Sequence, residues 1–199
     1  MSVVIYALLW ISFGYAHSVF TQPGVKQRLT PFLGSAYRIT YNLISTLHVG
    51  AVLLLGRQIL NMQAWVSNLA VSFALNAMMV LGALLMIASL RQYDLGSFSG
   101  LTQLRNGEQD SAEITPEPLN TSGLNSWVRH PLYSGALLFL WGNATSEFGV
   151  WTAAFASAYF IIGARYEERK LVRVYGQAYC QYQDRVPAFV PWRKKLNYH

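Results

Sequence analysis

Long apolar segments alternate with short polar ones along most of the chain. Five segments are long and contain no Asp, Glu, Lys or Arg: 1–25, 39–56, 58–90, 130–146 and 148–164. A helix needs about 20 mostly apolar residues to cross the hydrocarbon core of a bilayer. The pattern therefore predicts five membrane-spanning helices, TM1 to TM5, at 3–21, 39–58, 70–91, 131–146 and 148–165.

TM4 and TM5 are predicted to form a helical hairpin. The chain turns near 143–149, with Glu147 at the tip. Both segments are short for complete spans, so we expect the hairpin to tilt or to end in the interface. Residues 166–185 are predicted to continue TM5 as a helix.

Three tyrosines in this continuation share one helical face. Tyr175, Tyr179 and Tyr182 follow i, i+4, i+7 spacing. Aromatic side chains of this kind are enriched where a helix meets the membrane surface. The spacing therefore favours an interfacial aromatic belt over a ligand cage.

The distribution of charge gives the predicted spans an orientation. Of the 15 Lys and Arg residues, only Arg57 falls on the outer side when the N-terminus is placed outside. Basic residues are enriched in cytoplasmic loops of membrane proteins. The sequence therefore predicts a multi-pass protein with its N-terminus outside and its C-terminus in the cytoplasm.

Composition excludes several other classes of protein. Hydrophobic residues make up 53% of the chain and charged residues 12%, and the first carboxylate is Asp94. Soluble domains carry about 25% charged residues, so a soluble surface is excluded. The net charge of +6 lies beside apolar segments, which favours a membrane over nucleic acid. The single cysteine, Cys180, excludes an internal disulfide and a cysteine-based zinc site.

Candidate chemistry begins with the segment that enters TM4. Pro131 is favourable in the first turn of a helix and fixes the entry of the chain. Arg129 and His130 are therefore held at the membrane surface. A proline-started helix with a snorkelling arginine explains the same residues without any catalytic role.

A second candidate is the carboxylate pair just beyond TM5. Glu167 and Glu168 fall on the same predicted side as His130. Carboxylates at the edge of the hydrocarbon are costly unless they are partnered. They either form simple i, i+3 pairs, such as Arg165 with Glu168, or belong to a cytoplasmic pocket closed by the loop 92–130 and the C-terminal tail.

These segments resemble a known family. Residues 121–135, with the core Arg129-His130-Pro131-Leu132-Tyr133, resemble the S-adenosylmethionine motif of isoprenylcysteine carboxyl methyltransferases. The pattern E-E-x-x-L-x-x-x-Y-G-x-x-Y-x-x-Y-x-x-x-V-P over 167–187 also resembles that family, as does Ser97-Phe98 with Gln103. The N-terminal segment 13–18 is similar to the bacterial branch of the superfamily, which includes methanethiol S-methyltransferases and denitrification-associated membrane proteins.

The resemblance implies an all-α polytopic methyltransferase of a prokaryotic inner membrane. It would form a single integral membrane domain over 1–199, with a three-helix part at 1–92 and a cofactor-binding part at 93–199. S-adenosylmethionine would bind in the cytoplasmic pocket. The methyl acceptor would be a small thiol or a lipophilic molecule, such as a prenylcysteine-like one, and would enter from the bilayer. Membrane lipids would be the other partners.

The resemblance also assigns residues to these roles. Arg129 and Glu167 are the candidate catalytic residues, and no metal ligand is implied. The candidate cofactor-binding residues are Gln103, Glu117, Pro118, Leu119, Asn120, Asn125, His130, Pro131, Leu132, Tyr133 and Glu167. The arginine that eukaryotic relatives place four residues before the cofactor glutamate is replaced here by Gly163.

Two other functions fit parts of the pattern. A membrane reductase of lipid double bonds that uses NADPH shares a related Arg-His-Pro pattern, although the loop 92–130 is acidic. A non-catalytic membrane assembly factor would retain the helices without the reaction. Two intramembrane histidines, His17 and His48, are expected to be hydrogen-bonded to neighbours, with haem ligation or a place near a substrate tunnel as alternatives.

Overall fold

The chain is all-helical in a computed structural model that describes residues 1–107 and 118–192. No strand occurs within these two ranges, so the predicted all-α class is confirmed. The helices in them are α1 (Ser2–Phe20), α2 (Pro23–Leu33), α3 (Tyr37–Ile59), α4 (Leu69–Leu90), α5 (Leu95–Ser99), α6 (Leu101–Asn106), α7 (Pro131–Gly142), α8 (Glu147–Tyr175) and α9 (Gln177–Arg185). Short 3-10 turns at Gly34–Ala36 and Gly123–Ser126 connect some of them.

Four helical segments are long and apolar enough to cross a membrane. They are Ser2–Phe20, Pro23–Ile59, Leu69–Leu90 and Glu147–Tyr175. Large apolar side chains on these helices face outwards, including Leu8, Leu54 and Leu84, each more than half exposed. Exposed apolar surface on this scale is typical of contact with lipid. The predicted multi-pass membrane protein is confirmed, and TM1, TM2, TM3 and TM5 correspond to α1, α3, α4 and α8.

The remaining predicted span, TM4, is the 12-residue helix α7. At 1.5 Å per residue it is about 18 Å long, which is less than the ~30 Å hydrocarbon core. The chain leaves the helix after Gly142 and enters α8 at Glu147, so the predicted turn is confirmed. Four span-length helices and one short apolar helix therefore replace the five predicted spans.

Helix α8 continues beyond the length that a membrane requires. Its 29 residues extend about 43 Å, so the last turns project from the hydrocarbon. The prediction that TM5 continues as a helix holds as far as Tyr175. Gly176, with φ of 57°, then separates α8 from α9. The backbone there lies in the region that favours glycine, which explains the break.

Helices α4 and α7 approach each other through glycines. A Cβ atom at Gly82 would lie 2.6 Å from the carbonyl oxygen of Gly135, and one at Gly135 would lie 2.8 Å from the amide nitrogen of Met86. A Cβ at Gly142 would lie 2.5 Å from the amide nitrogen of Met79. Small residues allow membrane helices to pack with their backbones this close. This contact joins α4 to α7, the helix that follows His130.

An aromatic cluster fixes α1 against α3 and α8. Tyr6 is completely buried, and its hydroxyl lies 2.8 Å from Thr152 Oγ1. The ring of Tyr6 meets those of Trp10 and Phe155 edge to face, at 6.3 and 5.8 Å. Edge-to-face aromatic pairs contribute about 0.5–1.5 kcal/mol beyond their burial. The cluster sets the position of α8, which carries Glu167 and Glu168 at its other end.

Polar segments gather at one end of the bundle, which we call the site end. Here α1 finishes, and Tyr37 at the start of α3 donates a hydrogen bond to the Phe20 carbonyl at 2.6 Å. The amide of Asn42 donates to the Ser99 carbonyl at 2.9 Å and so joins α5 to α3. The loops 60–68 and 143–146 meet at the opposite end, where the Trp65 amide donates to the Thr145 carbonyl at 2.8 Å.

Candidate active site

An ion pair at the site end connects the two halves of the predicted motif. Arg129 Nε donates to Glu168 Oε1 at 2.7 Å, and the two side chains are only 9% and 15% exposed. The guanidinium also donates to the carbonyls of Gln183 and Val186. Glu168 is therefore paired with Arg129, 39 residues away, rather than with Arg165 one turn earlier on the same helix.

His130 lies between the two carboxylates. Its Nε2 donates to Glu168 Oε1 at 3.0 Å, and its Nδ1 is 3.8 Å from Glu167 Oε2. Tyr133 donates from its hydroxyl to Glu167 Oε2 at 3.2 Å, and its ring stacks on His130 with centroids 5.4 Å apart. The structure therefore brings together four predicted residues, Arg129, His130, Tyr133 and Glu167.

The backbone before α7 is fixed by the tail. Pro131 is buried at the first position of α7. The amides of Arg129 and His130 donate to the carbonyls of Pro187 and Ala188 at 2.9 and 3.0 Å. Ser134 Oγ, one turn into the helix, donates to the Phe189 carbonyl at 2.8 Å. The chain after α9 is thus hydrogen-bonded to the residues that lead into α7.

Two of the three tyrosines that were predicted to share one helical face form part of this site. Tyr179 and Tyr182 are 2% and 8% exposed, and the Tyr182 hydroxyl donates to the Asn125 carbonyl at 2.6 Å. Burial raises the pKa of Tyr182 to about 12, so it stays a neutral donor. The expected interfacial belt is therefore wrong for these two residues. They are enclosed because the break at Gly176 turns α9 back onto the protein.

Gln103 on α6 carries a buried oxygen without a partner. Its Nε2 donates to the Ser97 carbonyl at 3.3 Å, but its Oε1 has no hydrogen-bond donor among the described residues. Tyr93, which precedes α5, contacts the ring of Phe98 at 6.0 Å. Burial and then the negative charge of Glu167 raise the pKa of Tyr93, so this tyrosine lies in the field of Glu167.

The other residues that were predicted to bind the cofactor differ in burial and location. Leu132 is half-buried in the first turn of α7, and Asn125 lies in the 3-10 turn before it. Pro118 is exposed and Leu119 half-buried, while the side chain of Asn120 accepts a hydrogen bond from the Ser122 amide at 3.0 Å. The remaining one, Glu117, lies outside the described residues.

The structure adds Glu168 and Gln183 to the residues that the resemblance assigned to the site. Glu168 accepts from Arg129, His130 and, through Oε2, from Gln183 Nε2 at 2.9 Å. The doublet Glu167-Glu168 was a usable signal, because neighbouring helix positions point about 100° apart and the two carboxylates therefore meet different main partners. Glu168 faces Arg129, and Glu167, 48% exposed, faces Tyr133.

Both intramembrane histidines are hydrogen-bonded across helices. His17 on α1 bonds through Nε2 to the Tyr41 hydroxyl and through Nδ1 to the Tyr159 hydroxyl, the latter at 3.2 Å. His48 Nε2 lies 3.2 Å from Ser12 Oγ. The expectation that both histidines are hydrogen-bonded is therefore confirmed, and their partners lie on other helices.

Known proteins with similar sequences are methyltransferases. The chain is 31% identical over 192 residues to methanethiol S-methyltransferase 2 of Bradyrhizobium diazoefficiens, which covers 96% of this chain and 73% of the relative. It is 30% identical over 200 residues to the methanethiol S-methyltransferase of Pseudomonas deceptionensis, again covering 96% and 73%. A protein-S-isoprenylcysteine O-methyltransferase B of Arabidopsis thaliana is 30% identical over 132 residues, or 64% of this chain and 60% of the relative. No solved structure matches the chain.

The chain has helices long enough to span a membrane, and its relatives are methyltransferases. These two findings define it as an integral membrane methyltransferase. It belongs to the NnrU protein family, whose model matches residues 5–144. That match includes α1 to α4 and α7, while α8 and α9 are covered by the methyltransferase relatives.

Proposed function

We propose that this protein transfers a methyl group from S-adenosylmethionine to a small thiol such as methanethiol, at the site end of the bundle. The observation that carries the proposal is the meeting of the two motifs, where Tyr133 bonds to Glu167 and His130 to Glu168. Relatives named for methanethiol as acceptor favour a small thiol over a prenylcysteine.

Glu167 and Gln103 offer groups that suit this cofactor. S-adenosylmethionine carries a positive sulfonium and amino groups that donate hydrogen bonds. The half-exposed carboxylate of Glu167 offers a negative charge, and the unpartnered Gln103 Oε1 offers a buried acceptor. An acceptor without a donor costs about 1–3 kcal/mol, which a ligand donor would recover. The other proposed walls of the cofactor pocket are Pro118–Asn120, Asn125 and His130–Tyr133.

When bound, the cofactor supplies an electrophilic methyl group, so the protein mainly orients the reactants and excludes water. Good orientation is worth roughly 7–11 kcal/mol of the barrier. A thiol with a pKa of about 8.5 is partly ionised at neutral pH. Glu167 would contact the cofactor directly. Arg129 is occupied by Glu168 and two carbonyls, so we assign it the task of positioning Glu168 and, through it, His130.

The orientation in the membrane forms part of the proposal. Every Lys and Arg of the described residues except Arg57 lies on segments at the site end. Basic residues are enriched on the cytoplasmic side of membrane proteins. We therefore infer that the site end faces the cytoplasm, which would place it beside the soluble cofactor, while the acceptor would enter from the bilayer.

Ligand binding and turnover in detergent test the function. Purified protein should bind S-adenosylmethionine and S-adenosylhomocysteine but not NADPH, and should transfer labelled methyl to methanethiol faster than to a prenylcysteine. Glu167→Gln should weaken cofactor binding at least tenfold, since it removes a negative charge that would attract the cationic cofactor. Asp184→Asn, an exposed neutralisation at the same end, is the matched control. Binding of NADPH alone, or normal cofactor binding by Glu167→Gln, would contradict the proposal.

A further inference from the structure

A cleft lies beside Glu168, between α8 and α9. It has a volume of about 480 Å³ and is lined by Arg165, Glu168, Arg169, Val172, Arg173 and Gln183. We call it the arginine cleft. From these residues we propose that the arginine cleft binds the phosphate of an anionic lipid headgroup.

Three arginines of this cleft form one face of α8. Arg165, Arg169 and Arg173 follow i, i+4, i+8 spacing, so their side chains lie above one another. All three are exposed, and none forms an ion pair with a carboxylate of residues 1–107 or 118–192. Guanidinium groups bind phosphate oxygens with paired N–H donors.

The carboxylate in the cleft does not neutralise these arginines. Both oxygens of Glu168 are already used, Oε1 by Arg129 and His130 and Oε2 by Gln183. The ion pair with Arg129 balances the charge of Glu168 within the protein. The arginine cleft therefore keeps a local positive charge and attracts an anion.

The position of the cleft along α8 indicates a lipid rather than a soluble anion. The helix starts at Glu147 at the opposite end, so a span of about 20 residues places Arg165 at the edge of the hydrocarbon. Arg173 lies about 12 Å further out along the helix axis, so the arginines cross the headgroup layer. Ile161, one turn deeper on the face of Arg165, is exposed and offers apolar contact for an acyl chain.

An aromatic ring contacts the middle arginine. The guanidinium carbon of Arg169 lies 5.5 Å from the centroid of the Tyr166 ring. A cation over an aromatic ring at an exposed site gains about 0.5–1 kcal/mol. This contact favours a position of Arg169 beside Tyr166, one turn earlier on α8.

Titration of the full chain in detergent micelles with single lipids, followed by native mass spectrometry, tests the proposal. Phosphatidylglycerol should bind saturably, and phosphatidylcholine at least tenfold more weakly because its choline cation opposes the arginines. The triple variant R165Q/R169Q/R173Q should lose at least tenfold in affinity for phosphatidylglycerol. R165K/R169K/R173K, which keeps the charge but lacks the paired N–H donors, should have an affinity between those of the wild type and the glutamine variant, and shows that the mutated helix face tolerates substitution.

A second triple variant provides the matched control. R28Q/R91Q/R105Q removes the same charge from exposed arginines of the site end outside the cleft, and should change the affinity less than twofold. Equal losses in the two glutamine variants would overturn the proposal, since they would show nonspecific attraction. Competition by inorganic phosphate at micromolar concentration would also overturn it, because the site would then bind a soluble anion. The readout is lipid binding, so it is independent of methyl transfer.

Discussion

Arg129 donates to Glu168 Oε1 at 2.7 Å and joins the segment before α7 to the far end of α8. The ion pair is mostly buried, and the same carboxylate oxygen also accepts from His130. One carboxylate thus holds both residues of the Arg-His pair in place. The orientation of His130, and through ring stacking that of Tyr133, depends on Glu168.

Removing one partner of this ion pair should strongly destabilise the protein. Glu168→Ala leaves Arg129 buried without its carboxylate, and breaking such a pair costs roughly 3–5 kcal/mol. Unfolding of the wild type and the variant in mixed detergent micelles measures the difference in the free energy of unfolding. The double variant R129M/E168L should lose less than the sum of the single variants, because no uncompensated charge remains. Additive losses would show that the pair has no coupling energy.

Glycine packing between α4 and α7 should also be sensitive to substitution. Gly135→Ala places a Cβ atom 2.8 Å from the Met86 amide nitrogen and forces the helices apart. Overpacking of this kind costs typically about 1–3 kcal/mol. Gly50→Ala, in α3 with nothing within 4 Å of its added Cβ, is the control and should be neutral or stabilising. Equal effects on the free energy of unfolding would rule out close packing as the cause.

Substitution of Gln103 should separate cofactor binding from stability. Gln103→Leu removes the unpartnered Oε1 together with the bond from Nε2 to Ser97. The two effects oppose each other, so the free energy of unfolding without ligand should change by less than about 1 kcal/mol. Affinity for S-adenosylmethionine, measured by calorimetry, should fall at least tenfold. Unchanged affinity would show that Oε1 does not contact the cofactor.

His17 is predicted to stabilise the N-terminal helices. His17→Phe keeps the ring but leaves the hydroxyls of Tyr41 and Tyr159 without that partner, at a cost of about 1–3 kcal/mol. The triple variant H17F/Y41F/Y159F removes all three polar groups and should recover part of the loss. A single variant as stable as the wild type would show that these hydrogen bonds add no net stability.

Apolar patterning was enough to predict most of the helices. The predicted spans 3–21, 39–58 and 70–91 agree with α1, α3 and α4 within two residues at each end. These segments succeed because a membrane helix satisfies its backbone internally and exposes apolar side chains to lipid, so local sequence determines it. The short α7 also has an apolar sequence, but its length is limited by the turn that follows Gly142, which composition does not reveal.

The site was predicted only in part. The motif residues Arg129, His130, Tyr133 and Glu167 meet as the resemblance implied. The sequence alone left two alternatives for Glu168, which were a local pair with Arg165 one helical turn away and a place in a cytoplasmic pocket. The structure pairs it with Arg129, because the tail and the entry to α7 enclose that carboxylate with two donors.

The sequence by itself determined the membrane class, the helices and the end at which charge collects, because hydropathy and charge act residue by residue. Only the tertiary structure decided which carboxylate is buried, that Tyr179 and Tyr182 face the protein, and that Arg165, Arg169 and Arg173 line an open cleft. These properties depend on how α8, α9 and the tail fold back on α7. They arise from contacts between residues far apart in the chain, which no local pattern encodes.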